Sequence, residues 1–290
     1  MADNRRGQLY MLLAALSWSS GGLLQRALLT DTTTQIVGRA FFAAIAILAF
    51  VIGSERRQTV NSFRGMGWAG ATFAVCIAIS SASFMAALNA TSVANVLVLQ
   101  ALTPLVASFL ARVFLNQELS RQTLAAIALS LAGVVIMVGA PGSALSYGVA
   151  LAGLMAVTFA VGVVIAGSRT DTSMAPASCL AQVLLVAFLW PMAHLAAVEP
   201  RDLFLLALLG AGQMGVGLVL FTLGARLIPA STVALISLLQ VVLGPMWVWL
   251  GRGEVPAPGT LAGGVIIVTA VAWSVLQARA APPFRASGAI

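Results

Sequence analysis

Two glutamines stand in the most apolar parts of this sequence, and each is followed closely by a proline. Gln100 lies in VLVLQALTPLV, four residues before Pro104, and Gln240 lies in ISLLQVVLGPM, five residues before Pro245. A neutral amide donates and accepts hydrogen bonds, and a proline leaves the carbonyl group four residues earlier without its helical donor. The two stretches therefore predict a polar binding place and a helix bend in each half of the chain.

The sequence contains no recognisable set of catalytic side chains. Its single histidine is His194, the eight acidic residues fall in tails, loops or predicted helix ends, and neither an HExxH motif nor a GxxxxGK[ST] phosphate loop occurs. Cys76 and Cys179 stand in apolar runs, where a small buried side chain is the simplest interpretation. We therefore expect no catalytic residues, no metal site, no cofactor and no ATP-driven pump in this chain alone.

The composition indicates an integral membrane protein built from helices. Of 290 residues, 60% are hydrophobic and 8% are charged, and the mean hydropathy is +1.02, whereas a soluble domain carries about 25% charged residues. Apolar runs of about 20 residues are typical of membrane helices rather than barrel strands. The basic residues are all arginine and are scattered, so the expected partner is the lipid bilayer and not nucleic acid.

Apolar runs between polar breaks predict ten membrane spans. They cover residues 8–28, 34–53, 66–87, 91–114, 121–139, 147–167, 175–198, 202–224, 231–250 and 258–278. With a cytoplasmic N-terminus, eleven of the fifteen arginines fall on the cytoplasmic side, and the other four are Arg26, Arg39, Arg201 and Arg252. This bias predicts that both termini are cytoplasmic. Arg39 and Arg112 lie near predicted span ends and are expected to extend toward the membrane interface.

The two halves of the sequence resemble each other at an offset near 137 residues. In each half an aromatic start, Phe84 or Phe221, is followed by the glutamine–proline stretch and a helix that begins Thr-Leu-Ala. Five spans per half is an odd number, so the second half must enter the membrane from the opposite side. We predict two inverted five-helix repeats, 7–140 and 145–278, around a central cavity, with a cytoplasmic tail at 279–290.

Neutral polar and aromatic residues at mid-span depth are the candidates for this cavity. They are Ser17, Trp18, Ser80, Ser83, Asn95, Gln100, Phe159, Gln213, Ser237 and Gln240. Amides and hydroxyls can serve the ammonium and carboxylate groups of a zwitterion, and aromatic walls suit an apolar side chain. A structural alternative stays open for each, because serine bonds to its own helix and glutamine or asparagine joins neighbouring helices.

The pattern ALNATSVANVLVLQALTP, followed by LNQELS and then TLA, resembles the drug/metabolite transporter superfamily. It is similar to the ten-helix type with two EamA domains over about residues 7–278, and within that type to YddG-type bacterial exporters of aromatic and other amino acids. The resemblance implies a secondary transporter of small metabolites in the inner membrane with cytoplasmic termini. Pro104, Glu118 and Glu254 are the positions that match its motifs.

The expected function is export of neutral amino acids and related metabolites by alternating access, with small amino-acid-like molecules as partners. No acidic residue stands at mid-membrane, which argues against export of lipophilic cations. A drug exporter stays open, and so does a nucleotide-sugar or triose-phosphate carrier, which would need deep basic residues. An intramembrane enzyme would require a deep catalytic pair, and a structural subunit would need no polar midplane.

Glu118 and Glu254 are interpreted as helix-capping or gate residues. The oligomeric state is open and compatible with a monomer.

Overall fold

The computed structural model describes residues 2–25, 27–91, 93–117, 120–138, 146–169, 172–195, 198–252 and 257–280. Within these ranges the regular elements are helices. The α-helices are α1 Ala2–Ser19, α2 Gly21–Gln25, α3 Thr32–Glu55, α4 Thr59–Gly65, α5 Gly67–Ala90, α6 Val93–Ala101, α7 Thr103–Leu115, α8 Arg121–Val138, α9 Tyr147–Ser168, α10 Ala175–Leu189, α11 Pro200–Ala207, α12 Gly217–Ala225, α13 Ala230–Ser237, α14 Leu239–Arg252 and α15 Pro258–Ala280. Short 3-10 helices cover Arg56–Gln58 and Trp190–Met192, and a π-helix covers Leu208–Val216.

Seven helical stretches in the described ranges are long and apolar enough to cross a membrane. They are Thr32–Ser54, Gly67–Ala90, Val96–Leu115, Tyr147–Ser168, Ala175–Met192, Pro200–Ala225 and Ala230–Trp247. Two shorter apolar helices cover Arg121–Met137 and Pro258–Ser274. The molecule is thus an all-helical, multi-pass membrane protein, as the composition predicts, while the number of ten spans stays a prediction.

The predicted first span, 8–28, differs from the structure because it is not one helix. α1 ends at Ser19 and α2 begins at Gly21. The serines at this point bond to nearby carbonyl groups: Ser19 Oγ donates to Leu16 O at 2.6 Å and Ser20 Oγ donates to Ser17 O at 2.8 Å. Such local side-chain bonds compete with the helical ladder and bend helices. They end α1 at the depth where Trp18 lies.

Large apolar side chains cover much of the outer surface of the bundle. At least 60% of the surface of four such side chains is exposed: Phe109, Leu250, Val265 and Leu276. A soluble monomer rarely exposes apolar surface of this extent. Exposing apolar side chains costs free energy in water but not in the hydrocarbon core of a membrane, so these side chains are suitably placed against lipid.

The helix contacts repeat themselves between the two halves. α5 packs along α9 as α1 packs along α12, and the α6–α7 segment meets α9 as the α13–α14 segment meets α1. α3 meets α10, and α8 meets α15, across the junction of the halves. Exchanging each of these elements with its counterpart therefore reproduces the contacts named here. This arrangement supports the predicted repeat, and the opposite membrane orientation of the halves stays a prediction.

Both helices that contain the glutamine–proline stretches are interrupted beside the glutamine. α6 ends at Ala101 and α7 begins at Thr103, with Pro104 in its first turn. In the second half α13 ends at Ser237 and α14 begins at Leu239, whereas Pro245 lies inside α14. The two interruptions, at residues 102 and 238, are 136 residues apart. The interruption in the second half thus comes before Gln240 rather than at Pro245.

Candidate functional site

A cavity opens between the helices at the level of these interruptions. Its empty volume is about 580 Å³, including the part that is open to the surroundings. The lining comes from α1, α3, α5, α6, α9, the π-helix, α12 and α14. It consists of Trp18, Arg39, Ile77, Ser80, Ser81, Phe84, Gln100, Met155, Phe159, Gln213, Met214, Leu218 and Gln240. Both halves of the chain therefore contribute to one site.

Aromatic rings form one wall of this cavity. The Trp18 ring centroid lies 5.9 Å from that of Phe159 in an edge-to-face arrangement and 5.7 Å from that of Phe221. Phe221 in turn lies stacked 6.4 Å from Phe73. Such ring pairs contribute about 0.5–1.5 kcal/mol beyond their buried area. Trp18 lies on α1 and Phe159 on α9, the first helix of each predicted repeat, and the structure places their rings in contact.

Three glutamine side chains supply neutral hydrogen-bonding groups to the lining. Gln100 and Gln213 are buried, at 8% and 9% exposure, and Gln240 is half-buried. Gln213 Nε2 donates to the Trp18 carbonyl oxygen at 3.2 Å, which ties the π-helix to the end of α1. Its Oε1 has no hydrogen-bond partner among the described residues. Gln213 thus has a buried amide oxygen without a partner beside the site.

Arg39 is the charged residue of the lining, and the sequence interpretation placed it elsewhere. It was expected to extend to the membrane interface, yet it is 4% exposed and faces the cavity. The Nη2 atom of Arg39 donates a hydrogen bond to Ser81 Oγ on α5. Its Nε atom has no partner among the described residues. α3 begins at Thr32, so Arg39 lies two turns inside the helix. By contrast Arg112 is exposed in the last turn of α7, as expected for a span end.

Three predicted cavity residues, Ser17, Ser83 and Ser237, are not part of the cavity lining. Ser17 Oγ donates to the carbonyl oxygen of Gly212 at 2.9 Å, an interhelical bond. Ser237 Oγ donates to Val233 O at 2.9 Å within its own helix, which is the structural alternative for a serine. Ser83 is buried at 5% exposure away from the lining.

The other predicted lining residues are Trp18, Ser80, Gln100, Phe159, Gln213 and Gln240, and all six lie on the cavity wall. Ser80 also donates to the Met155 carbonyl oxygen at 3.2 Å, which joins α5 to α9. Contact with a substrate stays a prediction for each of them. The side chain of Asn95 and both loop residues, Glu118 and Glu254, lie outside the described residues.

A small polar cluster lies at the start of α3, away from the cavity. Asp31 caps this helix by accepting from the Thr34 backbone N–H at 3.1 Å, and His194 Nδ1 lies 3.5 Å from its carboxylate. Burial alone raises the pKa of Asp31, but the Thr34 hydrogen bonds and His194 outweigh it and hold the pKa below 3.8. The His194 side chain is 81% exposed. Among the described residues no group of three metal-ligating side chains comes together.

The fold and the apolar helices define the class of this molecule as a multi-pass helical membrane protein. Residues 5–139, just under half of the chain, match the model of the EamA-like transporter family. Over that part the chain is similar to the family expected from the sequence, which is a family of transporters. The comparisons do not support the narrower YddG-type subgroup, and no curated protein sequence matches the chain.

The fold as a whole is also found in a protein of known crystal structure. The two chains superpose with a TM-score of 0.80 at 20% sequence identity, over 94% of this chain and 98% of that one. At this identity the likeness concerns the fold alone. It covers both halves of the chain, including the half that the family model does not match.

Proposed function

We propose that this protein exports aromatic and other neutral amino acids and related small metabolites across the inner membrane by alternating access. The observation that carries the proposal is the cavity itself, where amides, hydroxyls and aromatic rings from both halves meet inside an apolar helix bundle. The match of residues 5–139 to a transporter family supports it. The arginine bias supports cytoplasmic termini, and the repeated helix contacts support two repeats at 7–140 and 145–278.

The chemistry of the cavity suits a small molecule with one apolar part and one polar part. Small-molecule sites combine apolar walls with a few fixed polar groups. Trp18 and Phe159 supply the apolar wall here, and the side-chain oxygens of the lining residues Gln100 and Gln240 can accept a hydrogen bond from an ammonium group. No carboxylate occurs in the described lining. A cationic drug would therefore lose its counter-ion on entering the site, which favours zwitterions over lipophilic cations.

Transport by the purified full-length protein in liposomes tests this proposal. We expect saturable uptake of labelled phenylalanine or leucine above the level of protein-free liposomes, with and without a proton gradient to reveal any coupling. Unlabelled neutral amino acids should compete. The proposal fails if no amino acid is transported while a cationic dye or a sugar phosphate is, because the drug-exporter or phosphate-carrier alternative would then hold.

A second prediction concerns the two helix interruptions, which we propose as the places where access alternates. Replacing Pro104 by alanine restores an N–H that can donate to the Gln100 carbonyl group, and a net hydrogen bond is worth about 1 kcal/mol, or roughly fivefold in an equilibrium. Replacing Ser237 by alanine removes the bond to Val233 O that accompanies the other interruption. Each variant is expected to slow transport by about fivefold.

The matched control is Ser62→Ala, because Ser62 makes the same bond to the carbonyl group four residues back, Gln58 O at 3.1 Å, on the exposed helix α4. It should transport like the parent protein. Thiol-reagent accessibility of single cysteines at both ends of the cavity reports which face is open. Unchanged transport together with unchanged accessibility in Pro104→Ala and Ser237→Ala would rule out bending at these points.

A further inference from the structure

Arg39 is a cation inside the bundle without an anionic partner among the described residues. Its side chain is 4% exposed and lines the cavity, and the hydrogen bond that it donates goes to a neutral hydroxyl, Ser81 Oγ. No described carboxylate forms an ion pair with it; the ion pair seen in the described part joins His194 and Asp31 at the start of α3. An ionised group inside a membrane bundle is costly and marks a functional site unless a partner compensates it.

The surroundings hold the guanidinium in the cavity rather than allow it to reach water. Gly210 of the π-helix lies against the backbone of α3 at this point, and a Cβ atom there would be 2.5 Å from the Arg39 carbonyl oxygen. This close approach fixes the α3 backbone. Ser81 on α5 fixes one end of the guanidinium, and Nε is left as a buried donor without a partner. The described residues therefore satisfy only part of the hydrogen-bonding capacity of the guanidinium.

We propose that Arg39 binds the carboxylate group of the substrate, which makes molecules with one carboxylate and an apolar group the substrate class of this cavity. The proposal rests on the proposed transport function for its meaning, but the binding step can be measured separately. A guanidinium forms its strongest hydrogen bonds with planar oxyanions. Gln100 and Gln240 also line the cavity, and their side-chain oxygens can accept a hydrogen bond from the ammonium group of an amino acid.

The charge count selects a carboxylate over a phosphate. Arg39 is the one charged residue in the described lining, so it contributes a single positive charge. A carboxylate balances that charge, whereas a phosphate monoester carries about −1.5 to −2 at neutral pH and would leave negative charge buried. The triose-phosphate and nucleotide-sugar types of substrate are disfavoured for this reason.

Four compounds that share one phenyl group test the assignment with the purified full-length protein in detergent. They are phenylalanine, 3-phenylpropionate, 2-phenylethylamine and phenyl phosphate, and affinity is measured by calorimetry. We expect the parent protein to bind phenylalanine and 3-phenylpropionate, and to bind 2-phenylethylamine and phenyl phosphate at least about tenfold more weakly. Arg39→Gln should weaken binding of the two carboxylates about 10- to 100-fold, which is the usual contribution of a charged hydrogen bond. Arg112→Gln, at an exposed arginine, is the matched control and should change affinity less than twofold.

Two further measurements separate recognition from a purely structural role. Without ligand, Arg39→Gln is expected to unfold at the same or a higher temperature than the parent, because it removes an unpaired buried charge. Arg39→Lys keeps the charge and should retain part of the carboxylate affinity even if the glutamine variant does not fold.

Any one of three results would overturn the proposal. The parent and Arg39→Gln could bind the carboxylates with equal affinity, the parent could fail to bind either carboxylate, or the parent could bind phenyl phosphate more tightly than the carboxylates. Failure of the transport function gives a different result. Arg39-dependent binding of carboxylates without uptake into liposomes would reject transport and keep the anion site. Amino-acid uptake that Arg39→Gln leaves unchanged would reject the anion site and keep transport.

Discussion

Replacing Gly263 by alanine is expected to destabilise the folded protein by about 3 kcal/mol, at the upper end of the usual cost of overpacking. Gly263 lies where α15 crosses α8. A Cβ atom there would overlap the Gly133 carbonyl oxygen and lie 2.6 Å from the Met137 backbone nitrogen. Both are backbone atoms of α8, so a side-chain rotation cannot relieve the overlap and the two helices must separate.

The measurement is thermal unfolding of the purified protein in detergent, together with the folded yield after membrane extraction. Gly153→Ala is the matched control, because Gly153 also lies within a long apolar helix and a Cβ atom there meets nothing within 4 Å. Alanine favours the helix over glycine by up to about 1 kcal/mol, so the control should be neutral or stabilising. Equal unfolding temperatures for the two variants would show that α8 and α15 are free to separate.

Helix positions could be predicted from the sequence where local chemistry decides them. The predicted span 147–167 corresponds to α9, Tyr147–Ser168, whose first turn is capped by Ser146 Oγ accepting from the Val149 N–H at 3.3 Å. The predicted span 34–53 lies within α3, which Asp31 caps in the same way. Polar caps and apolar length are properties of short segments, and they are visible without knowledge of the neighbours.

The interruption of the second glutamine helix could not be placed from the proline alone. Pro104 interrupts the first helix close to its own position, whereas Pro245 is accommodated inside α14 and the interruption comes at residue 238. Ser237 bonds back to Val233 O immediately before it, which is a weaker signal that most serines in membrane helices share. The two halves are interrupted at corresponding places with different residues nearby, so the position of the second interruption could not be read from its proline.

The candidate cavity was partly predictable because its neutral polar residues stand out in apolar runs. Six of the ten proposed residues lie on the lining, while Ser17 and Ser237 make structural bonds instead. Arg39 was missed because charge near a predicted span end is usually interfacial. Its burial depends on where α3 begins and on the approach of the glycine-rich π-helix, Leu208–Val216, and these are tertiary features.

Replacing Gly217 by alanine is expected to reduce transport by tenfold or more through the displacement of Trp18. Gly217 begins α12 beside the cavity, and a Cβ atom there would overlap Trp18 Nε1 and lie 2.5 Å from Trp18 Cδ1. The indole cannot retreat through Phe159 and Phe221, whose ring centroids are within 6 Å of its own. It must therefore move into the space proposed for the substrate. Overpacking costs about 1–3 kcal/mol, and each 1.4 kcal/mol is a factor of ten in affinity.

If the displaced indole of Trp18 blocks the site, a smaller ring at position 18 should restore transport in the Gly217→Ala variant. Trp18→Phe removes the indole nitrogen side of the ring, so the double variant Trp18→Phe, Gly217→Ala should transport better than Gly217→Ala alone. Gly212→Ala is the control, because a Cβ atom at Gly212 of the π-helix meets nothing within 4 Å. Uptake into liposomes gives the rates, and thermal unfolding shows whether each variant is folded. If the double variant transports no better than Gly217→Ala while both remain folded, the indole is not what blocks the site, and Gly217 acts through the packing of α12 instead.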